Sequence, residues 1–278
     1  MKIATRKSAL ALAQVELLKA HFSRMDAGFD VEVMKMTTTG DRQREWSLEK
    51  EGGKGLFTKE LESALLEKRA DIAVHSAKDL PTEVPDGLTI VGFLERENTV
   101  DVLVSREGVD VKKIATGSPR RRAQTKLLYP DIEWAEIRGN VETRLNKILE
   151  GEADATILAQ AGLNRLGINE VKGLSFKPFT VDEMVPAAGQ GAIAIQCRTE
   201  DADIYQPFLD EQTKLAVDVE RLCLEQMGGG CHSAMAAYCD GSKLFLFHED
   251  YGRKVVALEN LTEFTEVEAK QILADFIV

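Results

Sequence analysis

The sequence predicts an α/β protein with two lobes and a small third α+β domain. Along the first two thirds of the chain, β-rich segments alternate with segments of helical periodicity, which is typical of βαβ units and mainly parallel sheets. A further apolar strand, Ala192–Gln196, follows the second set of elements and could pair back into the first sheet. The last segment changes to long helices and short alternating strands.

The first lobe begins with a strand at Lys2–Thr5 and an amphipathic helix that runs to about Met25. Ser8 stands just before this helix, where a serine hydroxyl accepts a hydrogen bond from a helix amide. The remaining elements are a strand, a helix and two buried strands, at Val31–Met36, Phe57–Arg69, Asp71–His75 and Leu88–Phe93.

The second lobe repeats this alternation of strands and helices. The strands are predicted at Val102–Val104, Lys113–Thr116, Ile132–Ile137 and Ala153–Leu158. The helices are predicted at about Ser118–Leu128, Val141–Glu150 and Ala159–Leu166. Gly167 closes the last helix, because glycine readily adopts the left-handed conformation found at helix ends.

The last segment combines a helix at Thr213–Met227 with three antiparallel strands and a final helix. These later elements are predicted at Ala234–Cys239, Leu244–His248, Val255–Leu258 and about Glu263–Phe276. We expect a first domain of residues 1–94 plus 188–203, a second of 95–187 and a third of 204–278. A chain that crosses repeatedly between two α/β lobes suggests a hinged binding architecture, with ligands at strand ends and helix N-termini.

The charge of the chain is unevenly distributed. Its 278 residues carry a formal net charge of −11, of which −10 falls on residues 199–278. The acidic total argues against nonspecific binding of nucleic acid, and no apolar run approaches the roughly 20 residues that span a bilayer. The chain starts without the apolar stretch of a signal peptide, so we expect a cytoplasmic protein. Nothing in the sequence demands an oligomer, and we expect a monomer.

The four cysteines form no CxxC pair, which makes a metal site a weak interpretation even with His232 beside Cys231. A buried cysteine is most often a small hydrophobe. Cys231 differs, because it follows three glycines that let the backbone carry a side chain into a crowded place. It is a candidate nucleophile, although adjacent residues such as Cys231 and His232 usually point apart.

Basic and hydroxyl side chains recur where a strand leads into a helix. Three arginines in the first turn of a helix oppose its dipole unless an anion compensates, which favours an anion site at Ser118–Arg122. The motifs are Arg6-Lys7-Ser8, His75–Pro81 with Lys78 and Asp79, Thr116–Arg122, Arg138–Arg144, and Arg165. Each alone could be a solvated basic face or a polar turn. Together they indicate a ligand with several carboxylates or phosphates.

The segment Gly40–Gly55 is polar, contains several glycines and is long for a connection. Such loops are often lids or binding loops, and are otherwise simple surface loops. Its Gly52-Gly53-Lys54-Gly55 lacks the spacing of a P-loop, so the sequence gives little support for nucleotide binding.

At these motifs the chain resembles the porphobilinogen deaminase family. The similarity follows the family's order along essentially the whole chain. The matching stretches are Ile3–Leu12, Gly52–Leu61, Arg69–Pro81, Ser118–Arg121 with Gln124, Arg138–Leu145, Ala161–Gly167, Pro186–Ala192 and Gly229–Cys231.

The resemblance implies a tetrapyrrole-pathway transferase with two hinged, periplasmic-binding-protein-like lobes. Such an enzyme joins four porphobilinogen molecules into hydroxymethylbilane with loss of ammonia, on a dipyrromethane cofactor held by a thioether to Cys231. By the same resemblance Asp79 is catalytic. The implied cofactor ligands are Lys78, Thr116, Ser118, Arg120, Arg121 and Arg138; the implied substrate ligands are Arg6, Ser8, Gln14, Lys54, Arg144, Arg165 and Gln190.

The chain departs from the family pattern at Ala9, Pro119, Arg122 and His232, none of which removes a catalytic group. Two other functions remain open on the residues alone. One is a noncatalytic two-lobe binder of an anionic small molecule, which would need neither Asp79 nor Cys231. The other is a Cys231-dependent hydrolase, for which the sequence offers no supporting histidine constellation.

Overall fold

The computed structural model describes residues 1–42, 55–228 and 234–277, which fold into two α/β lobes and a small third domain. The strands of the first sheet are β1 (Lys2–Arg6), β2 (Glu32–Met36), β3 (Ile72–Ser76), β4 (Leu88–Phe93) and β10 (Ile193–Arg198), numbered in chain order. They lie in the order β2-β1-β3-β10-β4. The predicted return of a late strand to the first sheet is therefore confirmed.

The second sheet repeats the plan of the first. Its strands are β5 (Asp101–Arg106), β6 (Lys113–Ala115), β7 (Glu133–Ala135), β8 (Ala155–Ala159) and β9 (Leu174–Pro178). They lie in the order β7-β6-β8-β5-β9. β9 was not predicted from sequence, because it ends in proline and its side chains are mostly exposed, as suits an edge strand.

Each sheet has one strand that runs against the other four. β10 pairs antiparallel with β3 and β4, and β5 pairs antiparallel with β8 and β9, while the remaining pairings are parallel. Four strands of each sheet thus run in the same direction, but four of the eight pairings are antiparallel, so the sheets are mixed rather than mainly parallel as predicted. The chain crosses from the first lobe to the second at residues 94–100 and returns at residues 179–192. The strand that follows each crossing is the reversed strand of its sheet.

Several helices of the two lobes begin at a capping side chain. They are α1 (Ala9–Arg24), α2 (Thr39–Arg42), α3 (Lys59–Leu66), α4 (Pro119–Leu128), α5 (Val141–Leu149) and α6 (Gln160–Arg165). Ser8 accepts a hydrogen bond from the amide of Ala11 at 3.2 Å, and Ser118 accepts one from the amide of Arg121 at 3.4 Å. These caps fix where α1 and α4 start.

The third domain follows three short connecting elements, of which α7 (Ala202–Tyr205) is the second. It packs α8 (Glu211–Gln226) and α9 (Glu266–Ala274) against a sheet of β11 (Met235–Cys239), β12 (Lys243–His248) and β13 (Gly252–Ala257). The predicted last helix starts three residues late, because the Thr265 hydroxyl caps it by accepting from the amide of Glu268. None of the helices in the described residues is long and apolar enough to cross a membrane.

Candidate active site

The candidate site lies where strands of both lobes end. After β3 the chain makes a single 3-10 turn, Ala77–Asp79, and after β6 it enters α4 through Ser118 and Pro119. Arg138 stands just before α5. Because strand ends and helix N-termini of the two lobes meet here, side chains distant in sequence come within electrostatic reach of one another.

Asp101, the first residue of β5, is the centre of a buried charge cluster. Its carboxylate accepts from Arg120 Nη2 at 2.7 Å and from Arg121 Nη2 and Nε at 2.7 and 3.0 Å. Burial alone would raise the pKa of Asp101, but the charges of Arg120 and Arg121 hold it well below its ordinary value. Sequence reasoning missed Asp101, because a single acid at the start of a strand carries no local motif.

Arg120 and Arg121 are also held by backbone carbonyls. Arg120 Nη1 donates to the carbonyl of Val185 at 2.7 Å, and Arg121 Nη1 donates to that of Ile157 at 2.8 Å. The sequence predicts that both guanidinium groups bind a ligand's carboxylates. In the structure they are buried and much of their donor capacity is engaged by the protein itself, so their positive charge is preorganised by Asp101.

Lys78 and Asp79 face this cluster from the first lobe. Lys78 Nζ donates to Gln190 Oε1 at 3.3 Å. Burial and the charge of Arg121 lower the pKa of Lys78 to about 8, while Asp79 and Asp101 partly oppose the shift. Lys78 therefore lies near charged groups of both lobes, and its ammonium group has a pKa of about 8.

Arg138 and Arg144 complete the cationic surface. Atom Nη2 of Arg138 is buried and has no hydrogen-bond partner in the part of the chain that the structure describes. Arg144 Nε donates to the carbonyl of Gly139 at 2.9 Å. Burial, together with the charges of Arg121 and Arg138, lowers the pKa of Arg144 to about 10, while Asp79 acts in the opposite direction.

The first lobe adds a small polar pocket beside Asp79. Ser8 and Gln14 line it together with Arg6 and Ser76. Gln14 Nε2 donates to the hydroxyl of Ser76 at 2.8 Å. Arg6 is paired with Asp41, and its guanidinium lies 4.3 Å from the centre of the Phe57 ring. The structure thus brings three of the predicted first-lobe ligands, Arg6, Ser8 and Gln14, into one pocket.

His75 forms part of the wall of this pocket and is buried. Its Nε2 lies 3.0 Å from Gln196 Oε1. Burial lowers the pKa of His75 to about 4, and the Gln196 contact only partly offsets that shift. A neutral imidazole at this place gives the pocket a polar wall without an added positive charge.

Gln190 and Arg165 lie at the crossings between lobes. Gln190 is fully buried, and its Nε2 donates to the carbonyl of Thr99 at 2.7 Å. Its side-chain amide joins the two crossings and accepts from Lys78, and its binding to substrate stays a prediction. Arg165 Nη2 donates to the carbonyl of Gly191, and burial lowers the pKa of Arg165 to about 10.

Thr116 also serves the local backbone, because its hydroxyl accepts from the amide of Ser118 at 3.2 Å. Two predicted site residues, Lys54 and Cys231, lie outside the described residues, as do His232 and residues 43–53 of the predicted loop.

Solved structures with a similar arrangement of elements come from several bacteria. The VFT2 domain of BvgS from Bordetella pertussis has 17% identity over 75% of this chain and 85% of its own, with a TM-score of 0.46. The periplasmic aliphatic sulphonate binding protein SsuA from Escherichia coli has 14% identity over 82% of this chain and 74% of its own, with a TM-score of 0.45.

The ligand-binding core of GluR0 from Nostoc punctiforme, in complex with glutamate, has 13% identity over 82% of this chain and 94% of its own, with a TM-score of 0.41. A family model goes further than these similarities. The model described as "Porphobilinogen deaminase, dipyromethane cofactor binding domain" matches residues 1–206. Because the match covers most of this chain, the chain belongs to the porphobilinogen deaminase family.

Proposed function

We propose that the protein condenses four porphobilinogen molecules, with loss of ammonia, into the linear tetrapyrrole hydroxymethylbilane, starting from a dipyrromethane that forms a thioether with Cys231. One observation carries the proposal beyond family membership. Five cationic side chains from both lobes surround the carboxylates of Asp79 and Asp101, namely Lys78, Arg120, Arg121, Arg138 and Arg144. A ligand with several carboxylates would balance this excess of positive charge.

The residues fit an oligopyrrole that bears acetate and propionate groups. The unpartnered Nη2 of Arg138 is buried at the site, and such an atom costs free energy until it finds an acceptor. Arg138 and Arg144 form no ion pair with any described residue. They are the arginines best placed to hold ligand carboxylates, each contributing about 1.5–3 kcal/mol through a charge-assisted hydrogen bond.

We assign to Asp79 the stabilisation of positive charge on the reacting substrate. When ammonia leaves, it takes the electrons of the carbon–nitrogen bond, and positive charge develops on the substrate pyrrole. The carboxylate of Asp79, beside the pyrrole nitrogen, stabilises that charge. A preorganised group of this kind typically contributes about 10²–10³ in rate.

When bound, the dipyrromethane would supply the pyrrole carbon for the new carbon–carbon bond. The protein must then remove one proton from that carbon for each substrate added. Asp79 is half-buried in the wall of the first-lobe pocket, which supports our assigning to it the transfer of that proton to solvent. Arg6, Ser8 and Gln14 line the same pocket and would orient the incoming substrate.

The proposal is tested by intact-protein mass spectrometry combined with an assay of porphobilinogen consumption. We expect wild-type protein to carry an adduct of two pyrrole units and to consume porphobilinogen. Cys231→Ser should lack the adduct. Cys197→Ala, which changes a buried cysteine of β10, should keep both the adduct and the activity.

An unmodified wild-type protein that does not consume porphobilinogen would contradict the proposal. If such a protein still bound porphobilinogen, the noncatalytic two-lobe binder would be the better description. An adduct that persists in Cys231→Ser would refute the attachment site while leaving the reaction itself supported.

A further inference from the structure

Helix α8 of the third domain contacts the turn that carries Asp79. Arg221, on this helix, donates from Nη2 to the carbonyl of Pro81 at 2.7 Å and to that of Thr82 at 3.1 Å. Both acceptors lie two and three residues after Asp79. One guanidinium group of the third domain therefore holds the backbone that leads away from the catalytic carboxylate.

The same helix also packs against the turn through apolar side chains. Val217 is fully buried and belongs to one cluster with Ala77 and Leu80. These two residues flank Lys78 and Asp79 in sequence. Helix α8 thus packs with the residue before Lys78 and with the residue after Asp79.

The crossing at residues 179–192 fixes the start of the turn. Glu220, the neighbour of Arg221 on α8, accepts from the amide of Gly189 at 2.7 Å. Gly189 has a φ of +72°, and a Cβ at this position would lie only 2.8 Å from the Cβ of Ala77. The crossing backbone is therefore packed directly on the first residue of the turn.

The turn has little internal support of its own. Its 3-10 helix spans three residues and is closed by a single hydrogen bond, from the amide of Leu80 to the carbonyl of Ala77 at 3.1 Å. Pro81 follows and has no amide hydrogen to donate. A turn of this kind holds a side chain at a defined position only if neighbouring elements restrain it.

We propose that Arg221 is a positioning residue for Asp79, through which the third domain sets the place of the catalytic carboxylate. The inference rests on the proposed function. Arg221 holds the carbonyls of Pro81 and Thr82, and through them it restrains the backbone that follows Asp79. Small displacements of a catalytic group lower the rate of the chemical step, so the effect of losing Arg221 falls on kcat.

The test compares Arg221→Met, Arg221→Lys and Lys214→Met in the full-length, cofactor-loaded protein. We expect Arg221→Met to lower kcat for porphobilinogen about tenfold or more, with KM and the mass of the bound adduct unchanged. Arg221→Lys keeps a donor within reach of the carbonyls and should recover part of the loss. Lys214→Met removes an exposed charge paired with Asp218 on the same helix and should leave kcat within twofold of wild type.

A double-mutant cycle with Asp79→Asn separates positioning from general damage. If Arg221 acts through Asp79, adding Arg221→Met to Asp79→Asn lowers the residual rate by less than twofold. An equal loss in both backgrounds would overturn the inference, as would a kcat for Arg221→Met within twofold of wild type. Failure of the proposed function is distinguishable, because wild-type protein itself would then not consume porphobilinogen.

Discussion

Glu220 and Arg96 form a buried ion pair where the third domain meets both crossings between the lobes. The Arg96 Nη1 and Nη2 atoms donate to the two Glu220 oxygens at 2.6 and 3.0 Å. Glu220 also accepts from the amides of Gly189 and Cys239, and Arg96 Nε donates to the carbonyl of Gln190 at 2.9 Å. The carboxylate of Glu220 therefore connects the third domain to both crossings between the lobes.

Arg96→Met should strongly destabilise the protein, because it leaves the fully buried Glu220 carboxylate without its charge partner. We expect the free energy of unfolding, measured by urea denaturation, to fall by about 3–5 kcal/mol. Lys68→Met is the matched control, since it removes an exposed ion pair with Glu200 and should cost less than about 1 kcal/mol. Equal effects of the two substitutions would show that the buried pair does not hold the domains together.

Asp101→Asn tests the buried cluster through the pH dependence of stability. The pKa of Asp101 is lower in the folded protein than in the unfolded chain, so its ionised form stabilises the fold above an unfolded pKa of about 4. This contribution is lost as the pH falls through and below that value. Urea denaturation from pH 7 to pH 3 should show a large loss for wild type and a smaller one for Asp101→Asn, which starts from lower stability at pH 7.

A surface substitution gives the reference for this experiment. Asp110→Asn changes an exposed carboxylate 3.9 Å from Lys112 and should leave the free energy of unfolding at pH 7 within about 0.5 kcal/mol of wild type. If Asp101→Asn matched Asp110→Asn at every pH, the carboxylate of Asp101 would not be what holds Arg120 and Arg121.

Local patterns in the sequence predicted most of the fold. The caps at Ser8 and Ser118 and the alternation of strands and helices depend on neighbouring residues, and they were confirmed. The edge strand Leu174–Pro178 was missed, because burial on one side only and a terminal proline leave a weak pattern.

The candidate site was harder to predict than the fold, because its charges pair over long distances in sequence. The partners Arg96 and Glu220 are 124 residues apart, and Asp101 is 19 residues from Arg120. No periodicity links such positions. Gln190 gives another example, because no sequence pattern indicates that its side chain lies buried between the two crossings.

Lys78 should give the activity an alkaline limit. Its pKa of about 8 means that the ammonium loses its positive charge above this pH, and attraction for an anionic substrate weakens. We expect kcat/KM for porphobilinogen to decline above about pH 8 in wild type, and the decline to shift upward by at least one pH unit in Lys78→Arg, whose guanidinium stays charged. The substrate titrates in the same way with both enzymes. If their profiles of kcat/KM against pH coincided, Lys78 would not be the group whose loss of charge causes the decline.

Arg138→Leu should reduce the amount of protein that carries the dipyrromethane adduct. The substitution removes the buried donor that lacks an acceptor among the described residues. Losing a charge-assisted hydrogen bond of about 1.5–3 kcal/mol weakens binding roughly 10- to 150-fold. Arg69→Leu is the control, because Arg69 lies on the exposed surface and pairs there with Glu67. Intact mass spectra with equal adduct content in both variants would contradict this assignment.

Asp79→Asn should remove turnover while preserving the fold and the affinity for substrate. The amide keeps the size of the side chain but lacks the negative charge that stabilises the substrate cation, so kcat should fall by about 10²–10³. KM and the thermal midpoint should stay near their wild-type values, because the surrounding arginines and the packing of Ala77 and Leu80 are unchanged. Asp86→Asn, at an exposed position downstream in the same connection, should retain full activity. A kcat for Asp79→Asn within tenfold of wild type would mean that another group stabilises the developing charge.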